Sequence, residues 1–230
     1  PGTRAVVINS PNNPTGWTLR ADEQRTILAH CRKHGIWIIA DDVYERLYYA
    51  GAETSACAPS FLDVTGADDR IVSTNSFSKA WLMTGWRLGW IVAPPALMPD
   101  LGTRIDYNPS GSPVFVQRAG VVAFEQGEVT VGHTLSRFRA ARDTLAQALA
   151  RIPGVETALP DGAMYAFFRV EGVTDSLDFC KRLVRDAKLG LAPGSAFGPE
   201  GEGFVRWCFS ATEARLAEGI ARFSRYLQRV

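Results

Sequence analysis

The chain has 230 residues, of which 46% are hydrophobic and 21% are charged, and its 25 basic and 24 acidic side chains give a net charge of +1. This composition is typical of a globular protein with one or two domains. It shows no basic face that would indicate nucleic acid, no apolar run near the roughly 20 residues that span a bilayer, and no signal-peptide pattern. We therefore expect neither nucleic acid nor membrane as a partner.

Cysteine and histidine spacing gives no sign of a disulfide framework or a metal site. The four cysteines are Cys31, Cys57, Cys180 and Cys208. They are far apart and form no Cys-x-x-Cys pair, which favours reduced, mostly buried thiols in a cytoplasmic protein. His30 and His34 have metal-ligand spacing, but no carboxylate or cysteine pattern accompanies them, so a solvated helix face is the better interpretation.

Apolar runs and helical spacing alternate in the first half of the chain. Strands are predicted at residues 5–9, 36–40, 71–74 and 88–92, and a helix at residues 21–34. Gly35 is a natural end for that helix. A strand, a helix and a strand in this order indicate a parallel crossover unit.

Helices predominate from residue 97 onward. They are predicted at residues 114–126, about 130–152 and 176–187, and near the end of the chain, with strands at 165–170 and 204–209. The last helix carries Leu216, Ile220, Phe223 and Leu227 on one face. We place a domain boundary near residue 128. The helix at about 130–152 then bridges a first domain, residues 1–128, and a small α+β domain, residues 129–230.

The stretch with the clearest chemical signal surrounds a single lysine. Lys79 ends the segment Ser-Phe-Ser-Lys, which begins at Ser76, and Arg87 follows eight positions later between two glycines. A lysine amine can bond covalently to an aldehyde, and an arginine holds phosphate through two parallel hydrogen bonds. A lone lysine would be interpreted as a surface residue, but the glycine-arginine segment behind it favours a cofactor lysine.

Three further polar positions fall where ligand groups are expected. Asp41 follows a buried apolar strand, and the carboxyl ends of strands in open α/β sheets are where ligands bind. Residues 12–16 (Asn-Asn-Pro-Thr-Gly) follow the first strand and are also typical of a plain turn. Arg206 alternates with Val205 and Trp207 along a strand, so it faces away from those apolar side chains.

Together, residues 9–16, 41–44, 76–79 and 85–89 resemble the class I/II aminotransferases among the fold-type I pyridoxal-phosphate (PLP) enzymes. The resemblance implies an α/β PLP-transferase fold, with a mixed, mostly parallel sheet in a partial, cofactor-binding large domain followed by the small C-terminal domain. It runs through nearly all 230 residues but starts partway into the family pattern. A phosphate-binding turn, a ring-stacking aromatic residue and a cross-dimer tyrosine of the family have no counterpart here, so we expect a partial chain.

The resemblance gives roles to the residues around the cofactor ring. Lys79 would form a Schiff base with PLP and would later move the proton between the substrate α-carbon and the cofactor. Asp41 would pair with the ring nitrogen and keep the ring an electron sink. Tyr44 and Asn13 would bind the 3′-oxygen. The family spacing of aspartate, two residues, tyrosine selects Asp41 over Asp42, which would face the other way.

The resemblance also implies a phosphate site and a substrate site. Ser76 and Arg87 would bind the PLP phosphate. Arg206 would clamp the α-carboxylate of the substrate, with Asn13 beside it. Two segments of the small domain, residues 162–165 and 193–198, match family segments as well, and the first of them receives no role.

The implied activity is transfer of the amino group of an L-amino acid to a 2-oxo acid. Two alternatives remain open. A PLP lyase of the same family would use the same residues, because the cofactor carries the chemistry. The chain could instead be the aminotransferase-like domain of a transcription regulator, which would act as a binding module and would not catalyse a reaction. Aspartate, aromatic and aliphatic donors all remain possible. A homodimer is expected, since active sites in the family form at the subunit interface.

Overall fold

The computed structural model describes residues 2–50, 57–108 and 110–229. They form two compact units. The first comprises Pro1–Pro11 and Thr18–Leu135, and the second comprises Asn12–Trp17 and Ser136–Val230. The assignment of residues 1–128 and 129–230 as domains remains a prediction.

The first unit is built on a four-stranded sheet. Its strands are β1 (Ala5–Asn9), β2 (Trp37–Asp41), β3 (Ile71–Ser76) and β4 (Gly89–Val92), in the order β1-β2-β3-β4. The first two pairs are parallel and the last is antiparallel. The sheet is therefore mixed and mostly parallel, which confirms the predicted fold class. Because the parallel strands end at the same edge, Asn9 lies directly beside Asp41.

Helix α1 (Ala21–His34) crosses between β1 and β2 and has the predicted bounds. It ends at Gly35, whose φ of 64° is left-handed and whose N–H reaches the carbonyls of Arg32 and Cys31. On its inner face, Leu28 and Cys31 belong to the core of this unit. His30 and His34 are exposed, as expected of a solvated helix face.

Three helices follow the sheet. They are α2 (Met98–Tyr107), α3 (Val114–Gln126) and α4 (Glu128–Leu149). An aromatic cluster of Phe77, Trp81, Trp90 and Phe124 joins the turn after β3 to β4 and α3, with ring centroids 4.7 to 6.2 Å apart. The Trp81 indole also donates to the carbonyl of Ala123 at 3.0 Å. This cluster fixes the turn that carries Lys79.

The second unit contains an antiparallel sheet with strand order β5-β6-β8-β7. Its strands are β5 (Val155–Thr157), β6 (Tyr165–Val170), β7 (Ala192–Pro193) and β8 (Phe204–Cys208). Helices α5 (Ser176–Arg182) and α6 (Glu213–Leu227) accompany it. Phe168 and Phe223 are fully buried and meet edge to face at 5.6 Å. This α+β arrangement agrees with the fold expected for the C-terminal part.

Several predicted bounds change. The helix expected over residues 176–187 is α-helical only to Arg182 and continues as a π-helical turn, Leu183–Ala187, that ends at Lys188 in a left-handed conformation. The helix expected at about 130–152 is α4, which begins and ends slightly earlier. Strands β5 and β7 were not predicted, because two or three residues are too few to show a period.

The cysteines are free, as predicted, but the expectation that they are mostly buried is wrong. Cys31 and Cys180 are buried, whereas Cys57 and Cys208 are exposed. Within the described ranges, no helix has both the length and the apolar character needed to cross a membrane.

Candidate active site

A cavity of about 330 Å³ lies in the first unit, where β2 and β3 end. The side chains that line it come from the ends of these strands and from the turns that follow them. They are Asp41, Val43, Thr74, Asn75, Ser76, Ser78, Lys79, Thr84 and Arg87. Four residues that the sequence selected, Asp41, Ser76, Lys79 and Arg87, are therefore brought together around one space.

Asp41 is the last residue of β2 and is half-buried. Its Oδ1 accepts a hydrogen bond from the backbone N–H of Val43 at 3.3 Å. Burial raises the pKa of the Asp41 carboxyl, while that hydrogen bond and the charge of Lys79 act in the opposite direction. A cationic nitrogen placed against this carboxylate would compensate the desolvation that raises its pKa.

Asp42 faces away from the cavity, as the strand alternation predicted. It is 4% exposed, and its Oδ2 accepts hydrogen bonds from the hydroxyls of Ser73 at 2.7 Å and Ser60 at 3.4 Å. Burial raises the pKa of the Asp42 carboxyl as well, and the two serine hydroxyls oppose that rise. Of the two adjacent carboxylates, only Asp41 is available to a ligand in the cavity.

Lys79 lies in the turn after β3, close to a buried tyrosine. Its Nζ is 5.7 Å from the ring centroid of Tyr44, which is 4% exposed. On either side of the lysine, Phe77 and Trp81 are anchored in the aromatic cluster and are 4% and 8% exposed. The backbone on both sides is thus held by the core while the amine reaches the cavity.

Arg87 and two serines form one wall of the cavity. Arg87 adopts a left-handed conformation with a φ of 53°, and its Nη1 donates to the carbonyl of Thr84 at 3.1 Å and contacts the hydroxyl of Ser78 at 3.5 Å. The hydroxyl of Ser76 lies 2.9 Å from that of Ser78. A guanidinium beside two hydroxyls offers the charged, multiple donors that an oxyanion requires. The structure places Ser78, rather than Ser76, in direct contact with Arg87.

The side chains around the cavity match the chemical groups of PLP. The amine of Lys79 suits an aldehyde, the guanidinium of Arg87 with its serine hydroxyls suits a phosphate, and the carboxylate of Asp41 suits a pyridinium nitrogen. The aldehyde, the phosphate and the ring nitrogen of PLP thus each have a partner of complementary chemistry in this unit.

Asn13 and Arg206 lie together in the second unit. Arg206 is on β8, between the buried Val205 and Trp207, so the predicted alternation is confirmed. Its Nη1 donates to Asn13 Oδ1 at 2.8 Å. This contact joins a residue near the start of the chain to one near its end, both of which the resemblance assigns to the substrate site.

Two aromatic rings flank the Arg206 guanidinium. Its Cζ lies 4.4 Å from the ring centroid of Tyr165 and 4.8 Å from that of Phe197. The Nε of Arg206 is buried and has no hydrogen-bond partner among the described residues. Cation–π contacts of this kind stabilise a desolvated guanidinium by about 0.5–2 kcal/mol each. The two rings therefore hold the Arg206 guanidinium in a fixed orientation. This is the group that the sequence predicts to bind a carboxylate.

The turn that carries Asn13 is closed by Gly16. The Gly16 N–H donates to the carbonyl of Asn12 at 2.8 Å, and its φ is 71°. A Cβ at this position would lie 2.3 Å from the Cβ of Pro160. Both the left-handed backbone and this close approach require glycine.

Sequence reasoning missed residues at the cavity around Lys79 and residues around Arg206. In the first unit it did not select Ser78, which is next to Lys79 and has the hydroxyl that would have identified it. In the second unit it gave no role to Tyr165 or Phe197. Both belong to segments that match the family, which was the available signal, but only the folded chain shows that their rings contact Arg206.

The chain matches a family of known proteins over most of its length. A family model described as aminotransferase class I and II matches residues 1–223. An aspartate aminotransferase of Thermotoga maritima is 36% identical over 225 residues, which are 98% of this chain and 56% of the relative. An LL-diaminopimelate aminotransferase of Nitratidesulfovibrio vulgaris is 32% identical, covering 96% of this chain and 56% of the relative.

Solved structures give the same result. The crystal structure of an aromatic aminotransferase from Pyrococcus horikoshii superposes with a TM-score of 0.91 at 32% identity, covering 99% of this chain and 60% of that one. The chain therefore spans a little over half the length of the relatives that it matches.

Proposed function

Because the chain belongs to the class I and II aminotransferases, we propose that it is the greater part of a PLP-dependent enzyme that moves the amino group of an L-amino acid to a 2-oxo acid. Enzymes of this family generally depend on PLP. The observation that carries the proposal is the cavity of the first unit, where an amine, a carboxylate and a guanidinium with two hydroxyls converge.

The cofactor, when bound, supplies an aldehyde that takes up an amino group and a ring that withdraws electrons from the substrate α-carbon. Lys79 would hold the cofactor through its amine at this aldehyde, and the same Nζ would take up and return the α-proton of the substrate. Asp41 would pair its carboxylate with the ring nitrogen, and Tyr44 would donate its hydroxyl to the 3′-oxygen. Arg87 and Ser76, the latter through Ser78, would hold the phosphate.

Arg206 is proposed to bind the α-carboxylate of the substrate. Tyr165 and Phe197 keep its guanidinium in place, and Asn13 accepts from Nη1. A fixed guanidinium binds a carboxylate through two parallel hydrogen bonds and so orients the α-carbon, which lowers the barrier. The further role of Asn13 at the 3′-oxygen of the cofactor remains an expectation of the family resemblance.

The donor amino acid stays open, since relatives are named as aspartate, aromatic and LL-diaminopimelate aminotransferases. The homodimer remains a prediction from the resemblance, and the cytoplasmic location remains a prediction from the cysteine spacing.

The proposal is tested by adding PLP and a panel of L-amino acids with 2-oxo acid acceptors, and measuring the 2-oxo acid and amino acid that form. We expect transfer with at least one donor and a loss of transfer in Lys79→Ala. Lys33→Ala is the matched control, because Lys33 is an exposed lysine of α1 outside the cavity. Unchanged transfer by Lys79→Ala would refute the assignment, and formation of an eliminated product instead of a 2-oxo acid would identify a lyase.

A further inference from the structure

A second cavity, in the second unit, is lined mostly by cations. It measures about 600 Å³ and lies between the π-helical turn and the last turns of α6. Its lining residues are Asp186, Ala187, Lys188, Arg222, Arg225, Tyr226 and Arg229. Four cationic side chains therefore face one space with a single carboxylate, in a chain whose net charge is only +1.

The carboxylates near this cavity are already paired. Asp186 accepts two hydrogen bonds from its neighbour Arg185, at 2.8 and 3.0 Å, and Arg185 lowers the pKa of the Asp186 carboxyl. Glu218 pairs with Arg222 along α6. Neither carboxylate is left to neutralise the remaining cations.

Arg225 and Arg229 have no such partner. Both are exposed, and neither forms an ion pair within residues 2–50, 57–108 and 110–229. Arg222 and Arg225 occupy positions i and i+3 of α6, on one face of the helix, and Arg229 follows two residues after its end. Like charges stacked in this way destabilise a helix by about 0.2–0.5 kcal/mol per pair. An anion between them would remove that repulsion.

Cations near the end of a helix are also favoured by the helix dipole, which accounts for Arg225 in the last turn and for Arg229 just beyond it without a ligand. It also accounts for Lys188, which follows the π-helical turn on the opposite wall, but not for the hydrogen bond that joins the two walls. There Lys188 adopts a left-handed conformation with a φ of 55°, where glycine is usual. Its carbonyl accepts from Arg222 Nη1 at 2.9 Å and its Nζ donates to the carbonyl of Arg185 at 2.8 Å. The cations of two separate elements are thus fixed toward one another.

This cavity is separate from the Arg206 site. Neighbouring residues on β8 point to opposite faces of the sheet. Trp207 points toward α6, where its ring meets that of Phe223 at 5.7 Å and its indole packs on Gly219. Arg206 therefore lies on the other face, and an anion beside Arg225 would not compete with a carboxylate bound there.

From this arrangement we propose that the cavity is a binding site for a small anion with two or more phosphoryl groups. Arginine forks bind phosphate oxygens through two hydrogen bonds at once, and the two arginines without ion pairs among the described residues, Arg225 and Arg229, offer one such fork for each of two phosphoryl groups, beside the charges of Arg222 and Lys188. The volume falls within the range of roughly 300–1,000 Å³ that is typical of small-molecule sites. The proposal is independent of the transamination assigned to the chain.

The test is a calorimetric titration of the 230-residue chain with inorganic pyrophosphate at constant ionic strength, compared with inorganic phosphate and with citrate. We expect saturable binding of one pyrophosphate and weaker binding of the other two anions. Replacing both exposed arginines, as Arg225→Gln with Arg229→Gln, should weaken pyrophosphate binding about tenfold, which corresponds to about 1.4 kcal/mol for the two lost contacts together.

Arg215→Gln is the matched control. Arg215 is an exposed arginine of the same helix that does not line the cavity, so the variant should change the affinity less than about twofold. Equal weakening by Arg215→Gln and by the double variant would show diffuse attraction to a basic helix and would overturn the proposal. So would non-saturable binding, an unchanged double variant, or citrate binding as tightly as pyrophosphate.

Discussion

The carboxyl of Glu45 should make the stability of the chain depend on pH in a defined direction. Glu45 is half-buried in the turn after β2, and burial raises its pKa from 4.5 to about 7, with the charges of Asp42 and Asp63 adding to the rise and Arg46 opposing it. A pKa change of this size corresponds to about 3 kcal/mol between the protonated and ionised forms.

The sign follows from linkage. Below about pH 4.5 the carboxyl is protonated in both the folded and the unfolded chain, and no stability is lost. As the pH rises from 4.5 to about 7 the unfolded chain gives up the proton first, so the free energy of unfolding falls. Above about pH 7 the full loss is present. Glu45→Gln, which carries no charge, should therefore be more stable than the unsubstituted chain by less than about 1 kcal/mol at about pH 5 and by about 3 kcal/mol at about pH 8.

Urea unfolding followed by tryptophan fluorescence measures both variants at the two pH values. Glu125→Gln is the control, since Glu125 is an exposed carboxylate of α3 in the same unit, and its variant should show no such dependence on pH. A stability difference between Glu45→Gln and the unsubstituted chain that is the same at both pH values would contradict the reasoning.

Two further predictions concern packing around the candidate sites. Gly16→Ala should lower the free energy of unfolding of the second unit by about 1–3 kcal/mol, because its Cβ would meet Pro160 at 2.3 Å. Gly172→Ala is the control in the same denaturation assay, since Gly172 has a similar φ of 76° and no atom within 4 Å of its Cβ position. It measures the cost of the left-handed backbone without the steric clash. Phe77→Ala should destabilise the first unit by about 3–5 kcal/mol and weaken PLP binding, because it empties the centre of the aromatic cluster. Phe115→Ala removes a ring that is 70% exposed and should change either quantity little, so equal effects of the two phenylalanine variants would argue against the cluster as the anchor of Lys79.

The regular elements were predictable where one local signal was long enough. Helix α1 has both a periodic apolar face and a glycine stop at Gly35, and its bounds agree with the prediction. The two-residue strand β7 has neither, and only pairing with β8 creates it. The π-helical turn before Lys188 is also invisible in the sequence, since the apolar spacing of α5 continues through it.

The candidate site was likewise predictable only where its residues are close together in the sequence. The spacing of Lys79 and Arg87 is local, and the sequence alone grouped them correctly around one cavity. The contact of Arg206 with Tyr165 and Phe197 depends on the pairing of distant strands, and no local pattern contains it. The exposure of Cys57 and Cys208 could not be predicted either, because burial depends on which elements pack around a residue, and the local sequence does not show this.

The central claim is that Lys79 is the residue that bonds to the cofactor, and reduction tests it most directly. The chain is incubated with PLP and treated with borohydride, which converts a Schiff base into a stable secondary amine, and its peptides are then examined by mass spectrometry. Three other lysines, Lys33, Lys181 and Lys188, serve as internal controls in the same sample. The account predicts modification concentrated on the peptide that contains Lys79. Modification spread evenly over the four lysines, or confined to another one, would contradict it.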